Sequence, residues 1–333
     1  MSLIFYNREK LKQHTKWRWG EEKLGEMCGV VDDWEQLAES EANYVLFGIP
    51  EDVGVRANYG HVGTSKAWNA CLDAICNIQS NVFTNANNVV VLGEIDCSEE
   101  MMDAKQLESD DPFFPTKIGS LVKSIDDKVS EIIQKIIALN KIPIAIGGGQ
   151  NNAYGMIKGV SLSYDKPINC INLDAYSDFT ALEHRHSGNG FSYAHEEGYL
   201  DKYFILGLLR NYNSVTLLNR IEETEGKVAF ERFEDISVYQ KTSFKEALQK
   251  AKKHVAGTYF GLELDLDTVA TMGSSAMTPS GFTLEEARQY ITTLSKHKNC
   301  IYIHLCEGNP LMENFESQVG KSLAFLISDI LGN

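Results

Sequence analysis

A three-layer α/β/α fold around a central, mostly parallel sheet is predicted by three features of the chain. Apolar runs of strand type recur along most of its length. Amphipathic helical periodicity fills the intervals between them. The residues able to carry chemistry cluster just after the runs, where strands should end.

The runs are YVLFGIP (44–50), NVVVLGEI (88–95), IPIAIGGG (142–149), NCINLDA (169–175), YFILGL (203–208), GTYFGLELDLD (257–267) and CIYIHLCE (300–307). Several are nearly continuous in apolar residues, without inside–outside alternation. Strands read this way when helices cover both faces of a parallel sheet. Between them, residues 120–139 space Leu121, Val122, Ile125, Val129, Ile132, Ile133, Ile136 and Ile137 three and four apart, with Lys, Asp and Glu on the other face. The stretch TLEEARQYITTLSKH (283–297) opens with Thr283 and Glu286 in capping-box spacing and closes in basic residues that suit a helix C-terminus. Neither repeats nor low-complexity linkers interrupt this alternation. A single α/β domain is therefore expected over 41–333, with residues 1–40 as an N-terminal extension packed on it.

Bulk properties narrow the function. Of 333 residues, 43% are hydrophobic and 23% charged, enough for a substantial core. The formal charge is −15, from 46 acids against 31 bases, and a surface that acidic repels phosphate backbones, so nucleic acid is not an expected partner. The N-terminal MSLIFYNREK lacks the apolar core and cleavage site of a signal peptide, and the chain has no bilayer-length apolar run. The seven cysteines form no CxxC pair. Reduced, buried thiols in a cytoplasmic protein are the expectation, without membrane association.

Three strand ends carry the polar chemistry. After 142–146, GGGQ permits a tight turn and delivers Gln150 to the rim; the alternative is a plain strand-to-helix turn in which Gln150 caps. After 169–173, DAYSD places Asp174 and Asp178 four residues apart, either as an Asx-type turn capping backbone amides or as part of a cation site. In LELDLD, strand alternation sends Glu263, Asp265 and Asp267 to one face. Aligned acids at a central strand end are costly unless a cation or hydrogen-bond donors meet them.

In this order the motifs resemble the ureohydrolase superfamily of arginase, agmatinase and, most closely, formimidoylglutamase. That family reads a GG[DG]H turn, then DAHxD, then an SxDxD strand; here stand GGGQ, DAYSD and GLELD. LFGIPEDVGVRANYGHVGTSKA (46–67) resembles the family's opening strand and its Asn-bearing substrate loop, which implies a binding role for Asn58. HSGNGFSYA (186–194) resembles a substrate-holding segment, implying roles for Ser187 and Asn189. MTPSGFT (277–283) resembles the Pro/Gly loop before the next helix, and HLCEGNP (304–310) resembles the strand whose glutamate, here Glu307, faces a cationic substrate group.

The resemblance implies hydrolysis of a guanidinium or formimino C–N bond with two manganese ions, and a homo-oligomer. Its six metal ligands fall on Gln150, Asp174, Tyr176, Asp178, Glu263 and Asp265, so Gln and Tyr replace both histidines and Glu replaces one aspartate. No other histidine stands inside these motifs. His184 and His186 belong to the following loop; His186, or else His195, is a candidate proton shuttle, against a loop-packing role for each. Without imidazole the remaining set is oxygen-only, suited to one Mg²⁺ or Ca²⁺ rather than the family's Mn²⁺ pair. The expectation is a divergent member that lacks the dinuclear centre and carries no resident cofactor, a non-catalytic ligand-binding or assembly protein, with Tyr176 O–H and Gln150 N–H₂ donating to the carboxylates in place of ions. Its expected partner is a small cationic or amino-acid-like ligand. The alternative is an active C–N hydrolase for linear amidines with an unusual oxygen-rich metal site.

Overall fold

A computed structural model, in which residues 2–332 are described, contains one nine-stranded sheet flanked by helices. The strands are β1 (Leu3–Phe5), β2 (Tyr44–Gly48), β3 (Val89–Ile95), β4 (Ile142–Ile146), β5 (Ile168–Leu173), β6 (Leu200–Leu208), β7 (Val228–Arg232), β8 (Phe260–Asp265) and β9 (Cys300–Cys306). Their spatial order is β1-β3-β2-β4-β9-β8-β5-β6-β7. Every pairing is parallel except β1 with β3. The three-layer fold expected from the alternation of apolar runs is the one observed.

The seven anticipated strands are all present, and each owes its place to burial on both faces: β2, β5 and β8 are buried at every position. The strands β1 and β7 have no counterpart among the apolar runs. The first is three residues long and joins the edge antiparallel to β3; the second, VAFER, is half-buried on the opposite edge. The helix expected over 120–139 runs Phe114–Ala138, and its apolar stripe packs against Asn152–Tyr164 and the sheet. The helix Leu284–Leu294 has the anticipated capping box, Thr283 Oγ1 accepting from Glu286 N at 3.1 Å and Glu286 Oε2 from Thr283 N at 2.8 Å. Residues before 41 contribute β1 and three short helices. All seven cysteines are free and buried. No helix among the described residues is long and apolar enough to cross a membrane.

Two consequences bear on the site. The four adjacent strands β4, β9, β8 and β5 form the middle of the sheet, so their carboxyl ends converge, as in other open α/β sheets. Register then sorts their side chains into two rows on one face. Asp265 lies beside Cys306, and Asp174 follows Leu173, the partner of Leu264. Two residues deeper, Glu263 lies between Asn172 and His304. Close packing reaches the same strand: a Cβ on Gly261 would enter the ring of Tyr302 on β9. Gly261→Ala should therefore destabilise the chain by ~1–3 kcal/mol, the usual cost of overpacking, measured by urea denaturation.

Candidate active site

The turn after β4 begins with Gly147 and Gly148 at φ +88° and +70°, conformations that favour glycine. Glu51, fully buried, holds this turn in place. Its Oε1 accepts from Gly149 N at 3.0 Å and Asn152 Nδ2 at 2.6 Å, while Oε2 accepts from Val53 N at 2.7 Å. Gln150 is thereby fixed beneath β8 and β9. Its backbone N–H donates to Glu307 Oε1 at 2.6 Å, its Nε2 donates to Glu263 Oε2 at 2.8 Å, and its Oε1 accepts from the Cys306 thiol at 2.9 Å.

Glu263 belongs to the deeper row. Besides Gln150 it meets His304, whose Nδ1 stands 2.7 Å from Oε2 and whose Nε2 stands 3.2 Å from the Gly147 carbonyl. Both ring nitrogens thus face acceptors, an arrangement that favours the doubly protonated ring. Burial opposes that charge, but the Glu263 carboxylate outweighs it and holds the histidine's pKa up. His304 is a site histidine that the motif comparison passed over. It lies on the strand before Glu307, outside all three metal motifs, and only register brings it to Glu263. Of the two expected stand-in donors, Gln150 acts as anticipated. Tyr176 does not: its ring stacks on Tyr212 at 4.8 Å and 7°, and among the described residues no carboxylate receives its hydroxyl.

The upper row is a cluster of acids. Asp174, Asp178 and Asp265 can each bring a carboxylate oxygen within 4.8 Å of the others. The Asx-turn reading of DAYSD holds for Asp174, whose Oδ1 accepts from Tyr176 N at 2.8 Å; Asp265 Oδ1 likewise accepts from Asp267 N at 2.6 Å. Asp267, just past the strand, accepts from Ala276 N at 3.0 Å and acts electrostatically on the trio. Desolvation and mutual repulsion raise all these groups: Asp178 to about 8, and Asp174, Asp265 and Glu307 well above the ordinary range. The strongest charges acting on them are other carboxylates. Glu307 sits at φ +59°, a strained backbone for a glutamate, and its Oε2 is buried without a partner.

The loop residues serve its own geometry. His186 Nδ1 accepts from Gly188 N at 3.0 Å, so its proton sits on Nε2, 3.2 Å from Glu183; burial lowers its pKa to about 4. His184 Nε2 lies 3.1 Å from the Ala57 carbonyl and His195 Nδ1 3.1 Å from that of Leu200. Asn189 donates to His184 O and accepts from His186 N and from the buried Arg185. Asn58 donates to Ser187 Oγ at 3.1 Å and lines a cavity of about 380 Å³ whose wall includes Tyr176, Asp178, Gly188 and Tyr212. Asp178, only half-buried, belongs to both the cluster and the cavity.

A central parallel sheet with an acidic cluster at its carboxyl edge defines the class, and sequence comparison agrees. The arginase family model matches residues 42–331, and the chain belongs to that family. It is 24% identical over 312 residues to formimidoylglutamase of Geobacillus thermodenitrificans, covering 93% of this chain and 88% of the relative. Trypanosoma cruzi formiminoglutamase, solved with Mn²⁺, superposes with a TM-score of 0.73 at 17% identity, over 93% of this chain and 97% of that one. Bacillus subtilis formimidoylglutamase gives 0.73 at 15% identity, over 95% and 93%.

Whether a cation suits these residues can be judged from the donors. The Asp174–Asp178–Asp265 trio offers oxygen ligands at one point, without a counter-charge, and suits a single hard divalent ion. Glu263, His304 and Cys306 also converge, but Gln150 Nε2 and the imidazole Nδ1 both occupy Glu263 Oε2, and burial keeps the thiol protonated. That second group is a poor match for a hard ion.

The raised carboxylates set a pH dependence for the metal-free chain. A folded pKa of about 8 against 3.8 unfolded means that stability is fully present below about 4 and is lost as pH rises through 8. Thermal unfolding of the metal-free protein should show the cluster's stabilisation falling between pH 5 and 8.5, with added Mn²⁺ or Mg²⁺ restoring most at the alkaline end. A melting temperature insensitive to both pH and cation would contradict this assignment.

Proposed function

We propose that this chain is a C–N hydrolase of linear amidines, of the formimidoylglutamase type, working with one hard divalent cation held by Asp174, Asp178 and Asp265. The observation that carries the reading is the buried acidic cluster, lacking a counter-charge and reaching the cavity through Asp178. A cation bound there would lower the pKa of a water molecule towards neutrality. The chain's own groups do the rest. Glu307, with one unpaired oxygen, pairs with the amidinium N–H groups. Asn58 and the Tyr176–Tyr212 stack flank the body of the ligand. Water adds to the amidine carbon, and the bond to the amine nitrogen breaks as that nitrogen takes up a proton, leaving a free amine and an amide.

A second reading, ligand binding without turnover, is favoured by one observation: Gln150 is tied to Glu263 and Cys306, and so offers no ligand to a second ion. Metal analysis by mass spectrometry after dialysis against Mn²⁺, with assays on N-formimidoyl-L-glutamate, arginine and agmatine, separates the two. One ion per chain with formimidoyl hydrolysis is expected. One ion without turnover favours the second reading, and two ions overturn the single-site assignment. Outer partners of a metal ligand are worth about 10–100-fold in affinity, so Asp178→Asn should weaken Mn²⁺ binding by at least about that much.

A further inference from the structure

Residues 183–189 wall the cavity beside the acidic cluster, and one arginine holds them from behind. Glu183 and Gly188 line that space together with Asn58, which donates to Ser187. Arg185 belongs to the same segment, yet it is only 1% exposed and is not part of the lining. An arginine presents five N–H groups, and here each has an acceptor. Nε and Nη2 donate to Asp126 Oδ2 and Oδ1 at 3.0 and 3.1 Å, and Nη2 also to the Asn151 carbonyl at 3.0 Å. Nη1 donates to the His186 carbonyl at 3.1 Å and to Asn189 Oδ1. The rings of Tyr154 and Tyr193 stand 5.1 and 5.2 Å from the guanidinium, and the Tyr193 hydroxyl donates to the Glu183 carbonyl.

These acceptors fall into two groups. Asp126, on the helix Phe114–Ala138, and Asn151, on the turn after Gln150, are buried framework, and Glu51 holds that turn independently. His186 and Asn189 belong to the loop. Ties elsewhere, such as His184 to the Ala57 carbonyl and Asn58 to Ser187, are single bonds at 3.1 Å, whereas Arg185 meets Asp126 through a charged fork. We propose that Arg185 is a positioning residue: by bridging Asp126 and Asn151 to His186 and Asn189 it fixes where the 183–189 wall stands, and through it the fit of the ligand's body in the cavity. The identity of the ligand rests on the hydrolase reading; the placement of the loop rests on Arg185's own bonds. Arg185 hydrogen-bonds to none of Asp174, Asp178 and Asp265, so its loss acts on ligand binding and not on the cation.

The test compares Arg185→Lys, Asn189→Ala and Thr283→Ala in the full chain with Mn²⁺, by steady-state kinetics on N-formimidoyl-L-glutamate, Mn²⁺ titration and amide hydrogen exchange. Lysine keeps the charge but replaces the planar fork with a point. N189A removes one loop tie and leaves the Arg185–Asp126 pair in place, so it reports even where R185K fails to fold. T283A removes a helix cap that shares no hydrogen bond with the loop and controls for lost stability alone. Misplacing a ligand by about 1 Å costs up to about 100-fold, so R185K should raise KM about 10–100-fold and N189A about 2–10-fold. In both, kcat should stay within about threefold and Mn²⁺ affinity within about twofold, with faster exchange confined to residues 183–189. T283A should melt lower with KM unchanged. Exchange at 183–189 equal to wild type overturns the proposal, as does faster exchange there with KM unchanged, which makes Arg185 a bolt of the fold only. Wild-type protein that neither binds nor hydrolyses the amidine sinks the hydrolase reading; confined loosening of 183–189 then still supports the placement of the loop by Arg185, and its absence refutes it.

Discussion

Like charges buried together at the end of a parallel sheet are the constraint on which this protein's chemistry depends. Asp174, Asp265 and Glu307 are almost fully enclosed, and Asp178 and Asp267 add to the same potential. Taking even one ionised carboxylate out of water costs several kcal/mol unless something compensates. Backbone amides answer part of it, at Tyr176, Asp267, Ala276 and Gln150. Protons or a cation must supply the remainder. Which of the two is present changes the charge of the site and the water it can activate.

One layer below, the same problem is solved differently. Glu263 Oε2 meets the His304 imidazole and the Gln150 amide within hydrogen-bond distance, so the chain itself supplies partners to that oxygen, while Oε1 has none. The GGGQ turn matters here because Glu51 clamps it from the opposite side, fixing where Gln150 can reach. The result is a graded site, with side-chain partners for one Glu263 oxygen at depth and a cluster of acids at the end that the cavity touches. Arg220 and Phe179 stand on the wall of that cavity, the guanidinium 5.2 Å over the ring.

Much of this was legible in the residues. Seven strands announced themselves because both of their faces are buried, and the capping box at Thr283 marked a helix start by local chemistry alone. The edge strands β1 and β7 escaped because an edge needs neither length nor continuous apolar character. Tyr176 was read as a hydrogen-bond donor from its hydroxyl, yet its ring found an aromatic partner in Tyr212, far along the chain.

The sequence by itself determined the layered fold, the order of the strand ends and the acids standing there, because burial patterns and turn residues act locally along the chain. It also determined that imidazole is missing at positions 150 and 176. Only the tertiary structure decided which acids share a layer. Glu263 and Asp265 lie two residues apart on one strand face, but pairing with β5 and β9 puts Asp265 with Asp174 and Glu263 with His304. Register between strands distant in sequence is set by packing across the whole sheet, which no single stretch of residues encodes.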